Sequence, residues 1–223
     1  MQMSPTLAPQ RFDPPSPTPA PRAREPDGIR LIGVTIHVSR DQEVFGEGEP
    51  AHQVHKVVRG AVRGFRVLAD GRRQICDFYL PGDIFGIERG ADHRITAEAL
   101  ADTVLLVARR SALGDDTNTL AARHLWSLAM ERLDRSQDHA MTLGRRSARE
   151  RVANFLVDMA DRLGAGEILE LPMSRQDIAD YLGLTIETVS RTLTELQVSG
   201  LIKLAGPRSV HLRKPRALIE LCV

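Results

Sequence analysis

The chain has 223 residues, a formal net charge of +1 at pH 7, 42% hydrophobic residues and 26% charged residues. Its near-zero net charge excludes a strongly basic protein that coats nucleic acid without regard to sequence. Its two cysteines, Cys76 and Cys222, are too few for a disulfide framework or a four-cysteine zinc or iron–sulfur site. No apolar run reaches the ~18–20 residues that span a bilayer, and no signal-peptide pattern begins the chain. We therefore expect a cytoplasmic protein that does not enter a membrane.

The first 26 residues contain eight of the thirteen prolines and show no apolar periodicity. Such a composition cannot bury a core, so it predicts a disordered Pro-rich arm over residues 1–28. A docking segment of the PxxP type is the alternative interpretation of this stretch.

Short β-prone runs separated by turn residues follow the arm. The dipeptide Asp70-Gly71 between two such runs is typical of a β-hairpin. Many short strands at this spacing predict a small antiparallel barrel or jelly roll over residues 29–110, with Cys76 buried in a strand. The predicted strands are Val34–Val38, Val54–Val58, Ala61–Leu68, Gln74–Tyr79 and Thr103–Val107.

Residues 117–143, within a segment bounded at 111–144, have the pattern of one long helix that ends at Gly144. A helix of this length between two domains cannot bury its apolar side on its own chain, so we expect pairing with a partner helix. The alternative is that the helix is a connector that packs on the predicted barrel of its own chain. Four residues follow the three- and four-residue spacing of one face and are the predicted dimer contacts: Leu125, Leu128, Arg132 and Arg135.

The last part of the chain, residues 145–223, begins with a helix capped by Ser147 and then shows the signals of a helix-turn-helix. Ser174-Arg-Gln-Asp177 is a capping box that begins a short helix, and Gly183 suits the left-handed residue after its end. Thr185 is an N-cap for a second helix that runs to about Val198. Leu201–Leu204 and Ser209–Leu212 then predict a hairpin wing.

Glu187, Ser190 and Arg191 share one face of the second helix at its N-terminal end, which enters the major groove in a helix-turn-helix. Arg can bond guanine, Glu can accept from cytosine, and Ser can contact thymine. A solvated salt pair between Glu187 and Arg191 is the alternative. Ile186 could join the core or touch a thymine methyl. The candidates for phosphate contacts are Ser174, Arg175, Thr185, Thr188, Lys203 and Arg208.

Several of these motifs resemble those of one known protein family. The segment SRQDIADYLGLTIETVSRTLTELQVSGLI resembles the helix-turn-helix of the FNR-type branch of the CRP/FNR superfamily of bacterial transcription regulators. FGEGEPA, VVRGAVR and DGRRQICDFYLPGDIFG resemble that family's effector-domain β-roll. The resemblance covers residues 29–213 and is greatest to the FixK-like group, which regulates microaerobic respiration and nitrogen fixation genes. It implies an α+β fold with an N-terminal antiparallel β-roll, a long dimerisation helix and a C-terminal winged helix-turn-helix.

The resemblance also implies partners and residue roles. It implies a homodimer joined through the long helix, bound to double-stranded DNA at a palindrome of the type TTGAT-N4-ATCAA, with RNA polymerase as a further partner. Arg191 would read the guanine, Glu187 the cytosine opposite and Ser190 a thymine. Ile186 stands where the cyclic-AMP branch has an arginine. Family-guided polymerase contacts are the loops near Gly46–Pro50 and Gly82–Gly90.

Departures from the family's pattern limit the kinds of signal that we expect to control this protein. Residues 1–75 contain no cysteine, so a cysteine-ligated cluster of the FNR kind is not expected. The nucleotide-phosphate segment, residues 85–96, is shortened, although Arg94 and Thr96 of a degenerate pocket remain. We expect an effector-independent activator without cofactor or metal; the alternative is a sensor gated by a cyclic nucleotide or by oxidation of Cys76 or Cys222. His52 and His55 are expected on the surface, and no catalytic motif supports an enzyme.

Overall fold

The computed structural model describes residues 31–113, 119–145 and 147–222. The predicted Pro-rich arm, residues 1–28, lies outside the described residues. Within the described parts of the chain, no helix is both long and apolar enough to cross a bilayer.

Residues 34–109 form two four-stranded antiparallel sheets, which confirms the predicted β-roll. We call this part of the protein the β-domain. The strands are β1 (Val34–Val38), β2 (Glu43–Phe45), β3 (Gln53–Arg59), β4 (Val62–Val67), β5 (Arg73–Tyr79), β6 (Ile84–Phe85), β7 (Thr96–Ala99) and β8 (Thr103–Arg109). One sheet has the strand order β1-β8-β3-β6 and the other β2-β7-β4-β5. All five predicted strands are present, while the three shortest strands were missed because two to four residues carry too little periodicity.

The two sheets face each other across an aromatic interior. Phe45, Tyr79 and Phe85 pack there with small and branched residues from both sheets. Gly60 closes the turn between β3 and β4 with a φ of 92°, and a Cβ at this position would lie 2.4 Å from the Thr103 hydroxyl. Only glycine fits this turn without strain. Cys76 on β5 is exposed, so the prediction that it is buried is wrong.

The long helix, α1, covers Thr119–Arg145 and continues past Gly144, where we expected it to end. Leu125 and Leu128 pack against a small apolar cluster of the protein's own β-domain. Arg132 donates to the carbonyl of Ile84, and Arg135 Nη1 lies 3.8 Å from Asp83 Oδ1.

The face of α1 that carries Leu125, Leu128, Arg132 and Arg135 therefore contacts the protein's own chain, as the connector alternative expects. Their role as dimer contacts stays a prediction. The opposite side of the same helix is exposed and carries Trp126, Leu133 and Met141.

The C-terminal part is a winged helix-turn-helix, as predicted. Its N-terminal helix is capped by Ser147, and Glu150 completes the capping box. The elements are α2 (Ala148–Arg162), β9 (Ile168–Glu170), α3 (Arg175–Leu182), α4 (Ile186–Val198), β10 (Ile202–Leu204), β11 (Ser209–Leu212) and α5 (Pro215–Glu220). The three strands form an antiparallel sheet of order β10-β11-β9. The sequence did not indicate β9 or α5.

One apolar cluster runs from the β-domain into the helix-turn-helix. Phe65 and Ile75 of the β-domain belong to the same cluster as Phe155 of α2 and Ile178 of α3. The rings of Phe78 on β5 and Tyr181 on α3 have centroids 5.1 Å apart. The helix-turn-helix part is therefore seated directly on the outer face of β4 and β5.

Candidate nucleic-acid interface

Local hydrogen bonds hold the two helices of the helix-turn-helix in place. The Ser174 hydroxyl accepts from the backbone N–H of Asp177, whose carboxylate accepts from the N–H of Ser174. Gly183 has a φ of 62°, the left-handed conformation that the turn requires. Thr185 caps α4 by accepting from the N–H of Thr188. Each of these bonds satisfies a backbone donor that a helix end leaves without an intrahelical partner.

The recognition helix α4 has one buried and one exposed side. Val189, Leu193 and Leu196 are buried against the domain core. Glu187 and Arg191 are exposed on the first turns, and Ser190 between them is half-buried. The structure thus brings the three predicted base-reading residues together on one accessible face. Ile186 is 37% exposed at the start of the same helix.

Arg191 does not pair with Glu187 in the structure. Its Nε lies 3.9 Å from Glu195 Oε1, one turn further along α4. Both side chains of this contact are more than half exposed, and an exposed pair at this distance contributes little stability. The guanidinium therefore remains free to move to a base edge.

Two residues predicted for different roles are in contact. Arg175 Nη1, at the start of α3, donates to Ser190 Oγ on α4 at 3.3 Å. Because the serine oxygen accepts this bond, its own O–H remains available as a donor. Arg175 is therefore in contact with a predicted base-reading side chain, in addition to its own predicted role at the phosphates.

The other residues predicted to contact phosphates differ in how far their hydrogen-bond donors are already used inside the protein. Ser174 Oγ donates to Asp177 Oδ2 at 2.6 Å, so its hydroxyl hydrogen is already used and the geometry speaks against a phosphate bond. The hydroxyls of Thr185 and Thr188 lie 3.1 Å apart, which leaves one of the two O–H groups free. Arg208 Nη1 donates to the carbonyl of Pro172 at 3.0 Å, and Lys203 on the wing is exposed.

Two arginines that the sequence did not single out also reach the helix-turn-helix. Arg63 on β4 and Arg73 on β5 both donate to Asp177 on α3. They are 114 and 104 residues away from Asp177 along the chain, so no local pattern could indicate the contact.

The interior of the β-domain contains closely packed rings of the protein's own side chains. Phe45 stacks on His93 with centroids 3.6 Å apart, and Tyr79 stacks on Phe85 at 4.6 Å. Arg94 is exposed, and Thr96 Oγ1 accepts from the backbone N–H of Glu47. Thr96, one of the two residues expected in a degenerate phosphate pocket, therefore bonds the protein's own backbone.

His55 completes this interior and is only 3% exposed, so the expectation that it lies on the surface is wrong. Burial, with a smaller effect of nearby His93, lowers the pKa of His55 to about 4. In the described part of the chain, no group of three or more His, Cys, Asp or Glu side chains is placed to hold a metal ion.

Cys76 is not placed like an activated thiol. Cys76 is exposed, but the surrounding protein desolvates its sulfur and raises the pKa of the thiol. Cys222, which we expected to be exposed, is half-buried, and its Sγ lies 3.2 Å from the carbonyl oxygen of Leu218. A raised thiol pKa lowers the fraction of reactive thiolate.

Comparison with known proteins agrees with this architecture. A family model described as a Crp-like helix-turn-helix domain matches residues 150–221, and one described as a cyclic nucleotide-binding domain matches residues 35–115. The nitrogen fixation regulation protein FixK of Rhizobium meliloti is 44% identical over 204 residues, which cover 92% of this chain and 91% of that protein. FixK of Azorhizobium caulinodans is 46% identical over 208 residues, covering 89% and 83%. The solved structure of FixK2 from Bradyrhizobium japonicum has a TM-score of 0.83 at 45% identity, covering 86% of this chain and 98% of that one.

Proposed function

Since this chain belongs to the CRP/FNR family of DNA-binding transcription regulators, we propose that it is a homodimeric, effector-independent activator that reads a TTGAT-N4-ATCAA palindrome. Its relatives are named as nitrogen fixation regulators, and we assign it to the control of such genes and of microaerobic metabolism. The observation that carries the proposal is the capped helix α4, which presents Glu187, Ser190 and Arg191 together on its exposed first turns.

Each of these side chains matches one base of the half-site TTGAT. Arg191 has two parallel donors for O6 and N7 of the guanine, and Glu187 accepts from N4 of the cytosine opposite. Ser190 holds a bond from Arg175 on its oxygen, so it offers its hydroxyl hydrogen to O4 of a thymine. Ile186, exposed beside them, supplies an apolar contact to a thymine methyl.

The outward face of α1 supports a dimer, although on other residues than the sequence indicated. Trp126 is 67% exposed and Leu133, seven residues on, is 46% exposed. With Ala129, Ser136 and Ala140 they form a stripe at alternating three- and four-residue spacing, the pattern of a two-helix seam. We propose this stripe as the contact between two protomers, which would place two α4 helices in successive major grooves.

One feature of the β-domain supports independence from a ligand, and another supports a contact with RNA polymerase. The rings of Phe45, His93, Tyr79 and Phe85 pack closely in the interior of the β-domain, which supports a domain that folds without a bound nucleotide. For the contact with RNA polymerase, residues 47–50 are exposed as a loop. The second loop suggested by the family, Gly82–Gly90, contains the buried strand β6 and supports this role less.

Selection of bound sites from a random DNA pool, with full-length protein and no added effector, tests the proposal. We expect a two-fold symmetric site with TTGAT half-sites and a four-base spacer. Recovery of sites only after a cyclic nucleotide is added would refute effector independence. Recovery of single, unpaired half-sites would refute the dimeric mode of reading.

A further inference from the structure

The contact between the β-domain and α3 is ionic as well as apolar. Asp177 is only 3% exposed at its side chain, and its Oδ1 accepts from Arg63 Nη1 at 2.7 Å and from Arg73 Nη2 at 2.9 Å. Arg73 Nε also donates to Asp180 Oδ2 at 2.9 Å, one turn along α3. We call these four residues, Arg63, Arg73, Asp177 and Asp180, the interdomain clamp.

The same carboxylate is part of the helix-turn-helix itself. Asp177 Oδ2 accepts from the backbone N–H of Ser174 at 2.9 Å and from its hydroxyl at 2.6 Å. One oxygen of Asp177 thus completes the cap of α3 while the other holds the two β-domain arginines. Rotation of α3 against the β-domain would break either the cap or the arginine bonds.

The arginine at the centre of the clamp is held from the β-domain side. The guanidinium of Arg63 bonds Glu98 on the neighbouring strand β7, and its side chain is only 12% exposed. A guanidinium held by two carboxylates at fixed angles has little freedom to follow a moving partner. The β-domain therefore determines where Asp177 sits.

Apolar and ionic contacts make different contributions here. The shared apolar cluster of Phe65, Ile75 and Ile178 favours association but does not fix an angle, because the hydrophobic effect is non-directional. Charge-assisted hydrogen bonds are short and directional. The cluster holds the two parts together, and the clamp selects one orientation of α3, and with it of α4.

We propose that Arg63 and Arg73 are positioning residues for DNA reading, because the interdomain clamp fixes the separation and angle of the two recognition helices in the dimer. The clamp thereby does by ion pairing what a bound effector would do in a ligand-gated regulator. This inference rests on the proposed function, since the relative position of two helices matters only for a dimer that reads a palindrome.

The test compares three DNA duplexes with the full-length protein: the palindrome, the same palindrome with its spacer lengthened by two base pairs, and a single half-site. Two added base pairs rotate one half-site by about 70° against the other. For Arg63→Met/Arg73→Met we expect a loss of affinity for the palindrome of about tenfold, because fewer dimers have the competent geometry. We also expect a smaller preference for the correct spacer and unchanged binding of the half-site.

A matched control is available on the same strand. Arg66→Met removes one positive charge from β4, but Arg66 is exposed and pairs with Glu47, away from α3. This variant should keep the spacer preference of the wild type. Equal losses on palindrome and half-site for the double variant, with the spacer preference intact, would overturn the proposal and leave the arginines a purely structural role.

Exchanging the charges of Arg73 and Asp180 tests whether the spacer preference can be lost and then restored. Arg73→Asp places a carboxylate next to Asp177 and should flatten the spacer preference, whereas Arg73→Asp/Asp180→Arg restores an ion pair of opposite sense and should recover it. Failure of the reversed pair to recover any preference counts against the clamp.

A measurement without DNA separates this inference from the proposed function. NMR relaxation of backbone amides should show residues 31–109 and 150–222 moving as one rigid body in the wild type. In Arg63→Met/Arg73→Met the apolar cluster still holds the two parts together, but the amides of residues 150–222 should show an added motion relative to residues 31–109. Unchanged rigid-body motion in the variant would overturn the clamp. A wild type that binds palindrome and half-site equally would instead refute the dimeric reading, while the relaxation result still decides the clamp.

Discussion

Donors and acceptors on the recognition helix are assigned by bonds inside the protein before DNA arrives. Ser190 accepts from Arg175, so in the proposed complex it would meet a base as a donor, and Arg191 makes a long contact to Glu195. The identities of these side chains were predictable from the sequence because the helix caps and the three- and four-residue spacing are local. The bond from Arg175 was not, since it depends on how α3 crosses α4.

Replacement of Arg191 by alanine should reduce affinity and remove discrimination at one base pair. The lost bidentate bond is worth about 1–3 kcal/mol per half-site. Gel shifts on the palindrome and on a site with the guanine replaced measure both effects. The variant should bind the two sites equally, and a variant that still prefers guanine would assign that base to another residue.

Acid should weaken the β-domain through His55. Burial lowers the pKa of His55 from 6.5 to about 4, so below pH 6.5 the unfolded chain takes up a proton that the folded protein refuses. The free energy of unfolding should therefore fall between pH 6.5 and 4, by at most about 3 kcal/mol from this residue. Denaturant unfolding at several pH values should show a smaller acid loss for His55→Phe, which keeps a ring in the stack.

The control for this experiment is His37→Phe, which makes the same change at an exposed position of β1. It leaves His55 in place, so it should lose stability in acid as the wild type does. An acid loss that is equal in His55→Phe and the wild type would contradict the assignment.

At the scale of elements, the long helix shows what a periodic pattern leaves open. Two faces of α1 carry apolar residues at helical spacing, and the spacing alone does not tell which one packs on the β-domain. The structure seats Leu125 and Leu128 there and leaves Trp126 and Leu133 outward. The rotation of the helix is set by the β-domain surface, which is formed from segments distant in sequence. Capped helices α2 to α4 were predictable because their signals lie within a few residues.

Substitution on the outward face of α1 should separate the protomers. A charge at Leu133, introduced as Leu133→Asp, would lie in the centre of the proposed seam, where an unpaired charge is costly to bury. Sedimentation velocity should then show monomers at concentrations where the wild type is dimeric.

The inward face supplies the control. Leu128→Ala removes apolar contact with the protein's own β-domain and should lower the free energy of unfolding by about 1–2 kcal/mol, at the low end of core truncations because the side chain is only half-buried. It should leave the dimer intact. Monomers from Leu128→Ala and dimers from Leu133→Asp would reverse the assignment of the two faces.

At the scale of the whole molecule, a formal net charge of +1 means that DNA affinity depends on a few placed cations, each present twice in a dimer. Neutral hydroxyls such as those of Thr185 and Thr188 can bond phosphates but release no counterions. The steepness of the salt dependence therefore counts the cations at the interface.

The salt dependence therefore tests both the contact of Lys203 with phosphate and the two-fold symmetry of the proposed complex. Lys203 is exposed on the wing, and each phosphate it neutralises contributes about 0.9 to the slope of log K against log salt. Because a dimer carries two copies, Lys203→Ala should reduce that slope by about 1.8 on the palindrome and by about 0.9 on a single half-site. Lys56→Ala, which removes the same charge from β3 of the β-domain, should leave both slopes unchanged. Equal reductions on the two duplexes would show that only one wing of the dimer reaches the phosphates, and no reduction would remove Lys203 from the interface.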